Sequence, residues 1–389
     1  MLVELLGKVL GPLGFPVAVV REELSLSFGL TICTKRPDLV GPLHPHAPPV
    51  LSGRASKRNK HVGVRGIESC VIVGAGLSGL VAAQHLQDAG ISVTILEKEE
   101  KVGGRMRTDR IEEGIFDHGA QFFTVRGKRF GEMVEGWISS GVAKEWTRGF
   151  ADASGEKNED GHPRYKGVRG MTAITEHLAQ GLDVRTGAEV SGLQRGERGW
   201  KAVVRSSTHN ADALVLTGPT PRALTLVDGN DVPLTEEARR ALEGIGYDPC
   251  IALMALLAGE SGIPEPGGVQ IGNDPLFWIA DNRKKGISEA PAVTIHAGPE
   301  WSREQMQEDD YTVSKLLLEE AQDYIKTGIK ATAVYRWENS QPVAPHDEEF
   351  VYVEGPPPLI FCGDAYAGPK VEGAVLSGLA AAEKLLGAR

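Results

Sequence analysis

The sequence is poor in the features that would place it in several classes of protein. Its 389 residues include four cysteines, none of them in a Cys-x-x-Cys pair or at a metal-ligand spacing, and its ten histidines are scattered. No apolar run reaches the roughly 18 residues of a membrane span, because Pro12 and Pro16 break the longest stretch. The formal net charge is -10, so the basic surplus of nucleic-acid binders is missing. We therefore expect no metal site, no transmembrane segment and no nucleic-acid partner.

Residues 1–66 differ in composition from the rest of the chain. They contain nine Lys or Arg and four Asp or Glu, a formal charge of +5, whereas the remaining residues sum to -15. Proline and glycine interrupt every periodic stretch, especially over residues 37–53. A basic segment poor in acids is typical of an organellar transit peptide. We expect targeting to a chloroplast rather than a mitochondrion or, if this extension carries no signal, a cytoplasmic location.

Residues 69–105 have the order of a nucleotide-binding βαβ unit. A short apolar strand at residues 70–73 is followed at once by Gly74-Ala-Gly76-Leu-Ser-Gly79. A helix is predicted over residues 78–89 and a second strand over residues 91–96, with Glu97 at its end. The helix N-terminus would present free N–H groups to a pyrophosphate. The sequence therefore predicts a Rossmann-type α/β domain that binds a dinucleotide.

Each residue type in this unit has a physical role. Gly74 permits the tight turn, Gly76 lets backbone approach the pyrophosphate, and Gly79 allows helix and strand to pack closely. Glu97 can accept hydrogen bonds from the ribose hydroxyls. The neighbouring positions that we also expect to touch the cofactor are Leu77, Ser78 and Lys98.

A second glycine pair, Gly103-Gly104, followed by Arg105, indicates a longer cofactor than NAD. Backbone at the glycines could touch a diphosphate, and the arginine would add a cation there. With these residues the chain resembles the two-dinucleotide-binding-domain flavoproteins of the amine oxidase and phytoene desaturase class. That resemblance implies FAD as the cofactor. No cysteine lies where covalent members of that class attach theirs, so the expected FAD is noncovalent.

The loop after Arg105 indicates one branch of this flavoprotein class. Residues 116–124 read FDHGAQFFT, and together with the preceding GGRM-x-T pattern they resemble the renalase-like branch of the class. In that class the loop reaches the flavin ring, which implies that His118 and Gln121 line the isoalloxazine site. The alternative for His118 is a structural hydrogen-bonding role in a tight loop.

The C-terminal region resembles the flavin half of the same site. Gly363-Asp364 follows an apolar strand, and the resemblance implies that this Asp binds the ribityl–phosphate end. The VEGA-x-x-SG pattern, with Gly373 and Ala374, opens a helix whose N-terminus would stabilise negative charge on reduced flavin. The resemblance also implies that backbone at Val190 contacts the adenine.

The predicted domain organisation follows from these segments. Residues 67–125, 166–224 and 341–389 form the FAD-binding domain, and residues 126–165 and 225–340 form an inserted mixed-sheet substrate domain of α+β type. Within the insertion we expect a charged loop over residues 152–162 and one amphipathic helix over residues 302–326. Arg336 and Trp337 resemble an Arg-Trp strand of the family and are catalytic candidates, with core packing as the alternative.

The sequence thus predicts a renalase-like FAD-dependent oxidoreductase. Hydride would pass from a small reduced substrate, by resemblance a dihydronicotinamide isomer, to flavin and then to O2. Two alternatives stay open: an amine oxidase or desaturase on the same scaffold, and a flavin-binding protein without turnover. Residues 283–286 read Arg-Lys-Lys-Gly where the family has Lys-Pro-Gly-Arg, which leaves the substrate open. The oligomeric state is open as well.

Overall fold

The computed structural model describes residues 66–368 and 370–387, without the side chains at positions 157 and 158. The N-terminal extension and its targeting prediction lie outside this range, apart from Gly66. Among the described residues, no helix combines the length and the apolar composition needed to cross a membrane.

Helices and strands alternate along the chain before a run of strands that forms a second sheet. Their bounds are β1 (Ser69–Val73), α1 (Leu77–Asp88), β2 (Ser92–Leu96), β3 (Thr108–Ile111), β4 (Gly114–Asp117), α2 (Lys128–Ser139), β5 (Ala143–Asp152), β6 (Lys157–Gly167), α3 (Thr172–Leu178), β7 (Asp183–Arg185), β8 (Gly192–Arg195), β9 (Trp200–Val204), β10 (Ser207–Ala211), β11 (Ala213–Leu216), α4 (Thr220–Asp228), α5 (Glu236–Glu243), β12 (Tyr247–Leu257), β13 (Gly268–Gln270), β14 (Leu276–Asp281), β15 (Ala292–Ala297), α6 (Pro299–Glu304), α7 (Asp310–Glu320), β16 (Ile329–Pro342), β17 (Val351–Val353), β18 (Leu359–Phe361) and α8 (Lys370–Gly387).

The nucleotide-binding half is a six-stranded sheet with the order β17-β18-β11-β1-β2-β7. All neighbours pair in parallel except β17 and β18. Side chains alternate along β1, so Ile72 packs on one face while Val71 packs on the other, and both are buried. Two covered faces explain why these strands read as continuous apolar runs. The Rossmann-type fold predicted from the sequence is confirmed.

Both faces of this sheet are covered by other elements. Helices α1, α2, α3 and α8 pack on one face, whereas the three-stranded sheet β10-β9-β8 and helices α4 and α5 pack on the other. Helix α2 follows residue 126, where the sequence analysis begins the substrate domain. Its buried residues Phe130, Val134 and Trp137 nevertheless belong to the core of the nucleotide-binding half.

The second half is a seven-stranded sheet with the order β16-β12-β15-β14-β13-β5-β6. Its strands come from residues 143–167 and 247–342, and its own core includes residues of β12, β15 and α7. The hairpin β3–β4 joins the two halves, because Phe116 on β4 packs against Met254 and Leu256 on β12. Asp117, at the end of β4, therefore lies where the two halves meet.

Two local predictions are wrong. Residues 152–162 do not form one charged loop, because only residues 153–156 make the turn of an antiparallel hairpin in which β6 begins at Lys157. Residues 302–326 do not form one helix. Helix α6 ends at Glu304 and α7 begins anew at Asp310, since the Asp309 side chain accepts a hydrogen bond from the Thr312 N–H (3.0 Å) and so caps a new helix.

Candidate functional site

The carboxyl ends of the central parallel strands converge on one edge of the six-stranded sheet. Gly74 follows β1, Glu97 follows β2, Thr217 follows β11 and Gly363 lies just beyond β18. The chain leaves β1 for β2 on one side and reaches β11 on the other, so this edge is a topological switch point. Ligands of open α/β sheets bind at such a point.

The first glycine loop fits a close approach of helix to strand. A Cβ atom on Gly79 would lie 2.2 Å from the Gly74 carbonyl oxygen, which no side chain allows. Open space surrounds the corresponding position on Gly76, which is where backbone can face a pyrophosphate. Gly76 is the N-cap of the 12-residue helix α1, with no side chain capping it, so the first N–H groups are available to an anion.

Glu97 lies beside this loop with its carboxylate held in place. Oε2 accepts a hydrogen bond from the Ala75 N–H (2.7 Å) and Oε1 accepts one from the Glu99 N–H (2.9 Å). Each oxygen keeps a further lone pair for a ribose hydroxyl. The Ala188 N–H donates to the Glu97 carbonyl (2.8 Å), so the segment that leads to Val190 runs alongside. The Val190 side chain is buried, and a strand begins only at Gly192.

The second glycine pair packs directly on the first loop. The Gly103 N–H donates to the Ala75 carbonyl (2.9 Å), and a Cβ atom on Gly104 would lie 3.4 Å from the Gly76 Cα. Arg105 forms a 2.6 Å ion pair with Asp364, and both side chains are largely buried. The fold therefore brings the GGR segment and the C-terminal Gly-Asp segment together, as a cofactor that spans both requires.

The remaining residues predicted to bind the cofactor lie around the same edge. Leu77 and Ser78 are in the first turn of α1, and Gly373 and Ala374 are in the first turns of α8. The two helices touch, since a Cβ atom on Gly378 would lie 2.4 Å from the Ser78 carbonyl oxygen. Lys98 directly follows Glu97, and its half-exposed ammonium pairs with Glu99 at 3.4 Å.

His118 is enclosed by protein. Its ring is fully buried and packs against Tyr335 and Trp337, with ring centroids 4.7 and 5.4 Å away. Nε2 lies 3.1 Å from Asp109 Oδ2, and the pKa of Asp109 is held well below its usual value because His118 and Arg107 outweigh the effect of burial. This geometry favours the structural alternative for His118.

The His118 carbonyl, in contrast, orients two groups of the second sheet. It accepts hydrogen bonds from His296 Nε2 (3.0 Å) and Trp337 Nε1 (2.9 Å). Nε2 of His296 therefore carries the hydrogen, which leaves Nδ1 as an acceptor. Burial lowers the pKa of His296 to about 4, so this imidazole is neutral at physiological pH. His296 was not among the residues predicted for the site.

Gln121 lies between the His118 loop and a buried ion pair. Its Nε2 donates to the carbonyls of Asp117 (2.5 Å) and Gly119 (3.2 Å), which uses both hydrogens. Its Oε1 lies 3.5 Å from Lys285 Nζ, and that ammonium lies 2.6 Å from Asp117 Oδ2. Both side chains of the ion pair are fully buried.

Asp117 and Lys285 were not among the residues predicted for the site. Asp117 stands next to His118 in the motif, and Lys285 lies in the segment that departs from the family pattern, but no sequence signal pairs the two. Asp117 Oδ1 also accepts hydrogen bonds from Thr108 Oγ1 (2.5 Å) and the Met171 N–H (2.8 Å). The carboxylate therefore links three segments: the start of β3, the start of α3 and the turn that carries Lys285.

The two candidates on β16 point to opposite faces of the sheet. Trp337 reaches the His118 carbonyl, as described above. Arg336 instead pairs with Asp310 on α7 (2.5 Å) and donates to the Glu308 carbonyl. The structure therefore does not bring Arg336 together with Gln121, and its catalytic assignment has no support from this geometry.

Comparison with protein families gives two matches, which cover adjacent parts of the chain. Residues 72–136 match a NAD(P)-binding Rossmann-like domain. Residues 137–386 match the family described as flavin containing amine oxidoreductase.

The curated relatives match in short segments. An L-amino acid dehydrogenase of Synechocystis is 42% identical over 62 residues, which is 16% of this chain and 13% of that protein. An L-amino-acid oxidase of Mus musculus is 54% identical over 46 residues, 12% of this chain and 7% of its own length. The chain thus aligns with a small fraction of each relative's length.

Solved structures share the fold over most of the chain. A protein of Exiguobacterium sp. 255-15 assigned as a protoporphyrinogen oxidase superposes with a TM-score of 0.63 at 13% identity, over 82% of this chain and 98% of that one. Putrescine oxidase bound to putrescine gives a TM-score of 0.61 at 15% identity, over 82% and 99%. At these identities the likeness concerns the fold.

Proposed function

The chain belongs to the flavin containing amine oxidoreductase family, and on that premise we propose that it is an FAD-dependent oxidase that takes hydride from a small reduced substrate and passes the electrons to O2. A dihydronicotinamide isomer is the substrate class that we favour. The FDHGAQFFT and VEGA-x-x-SG segments, which resemble the renalase-like branch, support this choice.

The cofactor is FAD, and the described residues fit it. The Gly74–Gly79 loop and the N-terminus of α1 suit the pyrophosphate, while Glu97 has free lone pairs for the ribose. Arg105 and Asp364 lie where the two cofactor-binding segments meet. When bound, FAD supplies the hydride acceptor and the centre that O2 reoxidises.

The hydrogen bond from His296 Nε2 to the His118 carbonyl (3.0 Å) is the observation that carries the proposal. His296 has a pKa of about 4, and its Nε2–H is already bonded to the His118 carbonyl. It is therefore a poor proton donor or acceptor near pH 7. Oxidation of a dihydronicotinamide transfers a hydride and releases no proton from the substrate, so it needs no general base. The side chains around Gln121 can then act by orienting the donor and excluding water.

The polar groups of the loop are preorganised for that positioning role. Gln121 is 6% exposed, and both of its N–H groups are held by backbone carbonyls. Trp337 and His296 share the His118 carbonyl as their acceptor. A side chain that cannot rotate freely loses little entropy when a substrate binds.

An amine oxidase is the second candidate, favoured by the family match and by the fold of putrescine oxidase. An aromatic residue next to the flavin would help to bind an amine. Tyr366 follows the Gly-Asp segment, but it is 2% exposed and its hydroxyl lies 3.2 Å from Thr220 Oγ1 in the core. This placement leaves the dihydronicotinamide as the favoured substrate class.

Anaerobic mixing of the purified yellow protein with each substrate class tests the proposal. We expect dihydronicotinamide isomers to bleach the flavin absorbance within one turnover, and admission of O2 to restore it with formation of peroxide. Primary amines, putrescine and L-amino acids form the second arm. Bleaching by amines alone would replace the favoured substrate with the second candidate. Bleaching by neither class would indicate a flavin-binding protein without this activity.

A further inference from the structure

Lys166 is a buried cation near the site that the proposed chemistry does not use. It lies on β6, is 1% exposed, and its Nζ has no hydrogen-bond partner among the described residues. Lysine is almost never fully buried unless it is paired. A Cβ atom on Gly286 would lie 4.0 Å from this Nζ, so the ammonium faces the turn that carries Lys285.

The charges around Lys166 do not balance. Burial together with the nearby Lys144 and Lys285 lowers the pKa of Lys166 to about 7, and Asp117 opposes this only in part. Asp117 already holds Lys285 at 2.6 Å and accepts two further hydrogen bonds through its other oxygen. Two buried lysine side chains therefore share one carboxylate, so whenever Lys166 carries its proton the ammonium has no counterion of its own.

Aromatic side chains lie beside the two lysines. Lys285 Nζ lies 4.8 Å from the centre of the Trp146 ring. Trp146 belongs to an aromatic cluster with Phe122, Phe150 and Trp278. Trp278 is 4% exposed, and its Nε1 is a second buried donor for which the described residues provide no acceptor.

We propose that Lys166, supported by Lys285, binds an oxyanion on the substrate, so that the substrate carries a carboxylate or a phosphate. The inference rests on the proposed function only in placing the substrate beside Gln121, whose Oε1 lies 3.5 Å from Lys285 Nζ. An anion at Lys166 supplies the missing counterion and turns the uncompensated charge into a charge-assisted hydrogen bond. A carboxylate fits an amino acid, whereas a phosphate fits a dihydronicotinamide nucleotide.

Anion binding to the holoprotein tests this without any turnover. Benzoate and inorganic phosphate are titrated separately, and binding is followed by tryptophan fluorescence and by flavin absorbance. We expect one of the two to bind, and Lys166→Met to weaken that binding about ten- to a hundredfold, the range for loss of a hydrogen bond to a charged group. Affinity should fall as the pH rises above about 7, where the free ammonium loses its proton. Lys201→Met, at an exposed position on β9, is the matched control and should leave the affinity unchanged.

Thermal denaturation gives a second readout that does not depend on flavin reduction. The bound anion should raise the Tm of the wild-type protein and not that of Lys166→Met. Without anion, Lys166→Met should be at least as stable as the wild type, because it removes an unpaired buried charge. Lys166→Arg should retain part of the anion affinity.

Each result separates the two anions or overturns the inference. Binding of benzoate alone supports a carboxylate-bearing substrate, and binding of phosphate alone supports a phosphate-bearing one. Equal affinities for wild type and Lys166→Met, or binding of neither anion, would refute the oxyanion site. Failure of the proposed function would appear separately, as anion binding that depends on Lys166 in a protein whose flavin no substrate reduces.

Discussion

The buried ion pair between Asp117 and Lys285 should dominate the stability of the junction between the two sheets. Its charged atoms are 2.6 Å apart with both side chains fully buried. At an effective dielectric constant of about 20, the gross attraction is about 6 kcal/mol, much of which offsets the desolvation of both groups. Lys285→Met keeps the side-chain volume but removes the ammonium that contacts the carboxylate. We expect a loss of about 3–5 kcal/mol in the free energy of unfolding, as for other broken buried pairs.

Urea unfolding of the holoprotein, with the midpoint compared at constant slope, measures this loss. A double-mutant cycle with Asp117→Asn isolates the pair, and the double variant should lose at least about 2 kcal/mol less than the sum of the single variants. Lys330→Met is the matched control, because Lys330 pairs with Glu113 at 3.0 Å on the surface and should matter little. Additivity of the two single losses within about 0.5 kcal/mol would refute the reasoning.

Three further predictions concern the cofactor loop, His296 and β16. Gly79→Val should yield a colourless protein, because the Cβ atom of the valine would collide with the Gly74 carbonyl oxygen. Gly136→Ala is the control and should stay yellow, because open space surrounds Gly136 on helix α2. The flavin absorbance of each purified variant tests this. The pKa of His296 in the folded protein, about 4, lies below its ordinary value of 6.5. The unfolded protein therefore binds more protons between these values, and stability should fall as the pH drops from about 6.5 to about 4. The fall should be on the order of 3 kcal/mol and absent in His296→Gln, measured by urea midpoints at each pH. An equal dependence of stability on pH in both proteins would contradict the neutral imidazole. Trp337→Phe should lower kcat/KM about fivefold through loss of about 1 kcal/mol of hydrogen bonding to the His118 carbonyl. Arg336→Gln should leave kcat/KM unchanged, because that side chain faces α7. Steady-state kinetics measure both variants, and an equal loss in the two would show that the assignment of faces is wrong.

The nucleotide-binding unit could be predicted from the sequence because its determinants are local. The strand, the glycine loop, the helix and Glu97 follow one another within residues 69–97, so each type of residue has one structural reason. The position of Arg105 beside Asp364 required the fold, because the two lie at opposite ends of the described chain.

The buried polar contacts of Asp117, Lys285 and Lys166 could not be predicted. No periodicity or spacing in the sequence indicates that Asp117 pairs with Lys285 or that Lys166 has no partner. These contacts depend on how the hairpin β3–β4 packs against the second sheet. The single helix predicted over residues 302–326 failed for a local reason. Its apolar spacing was helical throughout, but the capping side chain of Asp309 starts a new helix.

We propose that three chain segments, around Gly74, Gly103 and Asp364, hold FAD together. Mass spectrometry and absorbance of the cofactor released from denatured, purified protein test this. We expect about one molecule of FAD per chain, bound at the edge where the three segments meet, and no FAD in Gly79→Val. A colourless protein, or one that releases NAD in place of FAD, would contradict it.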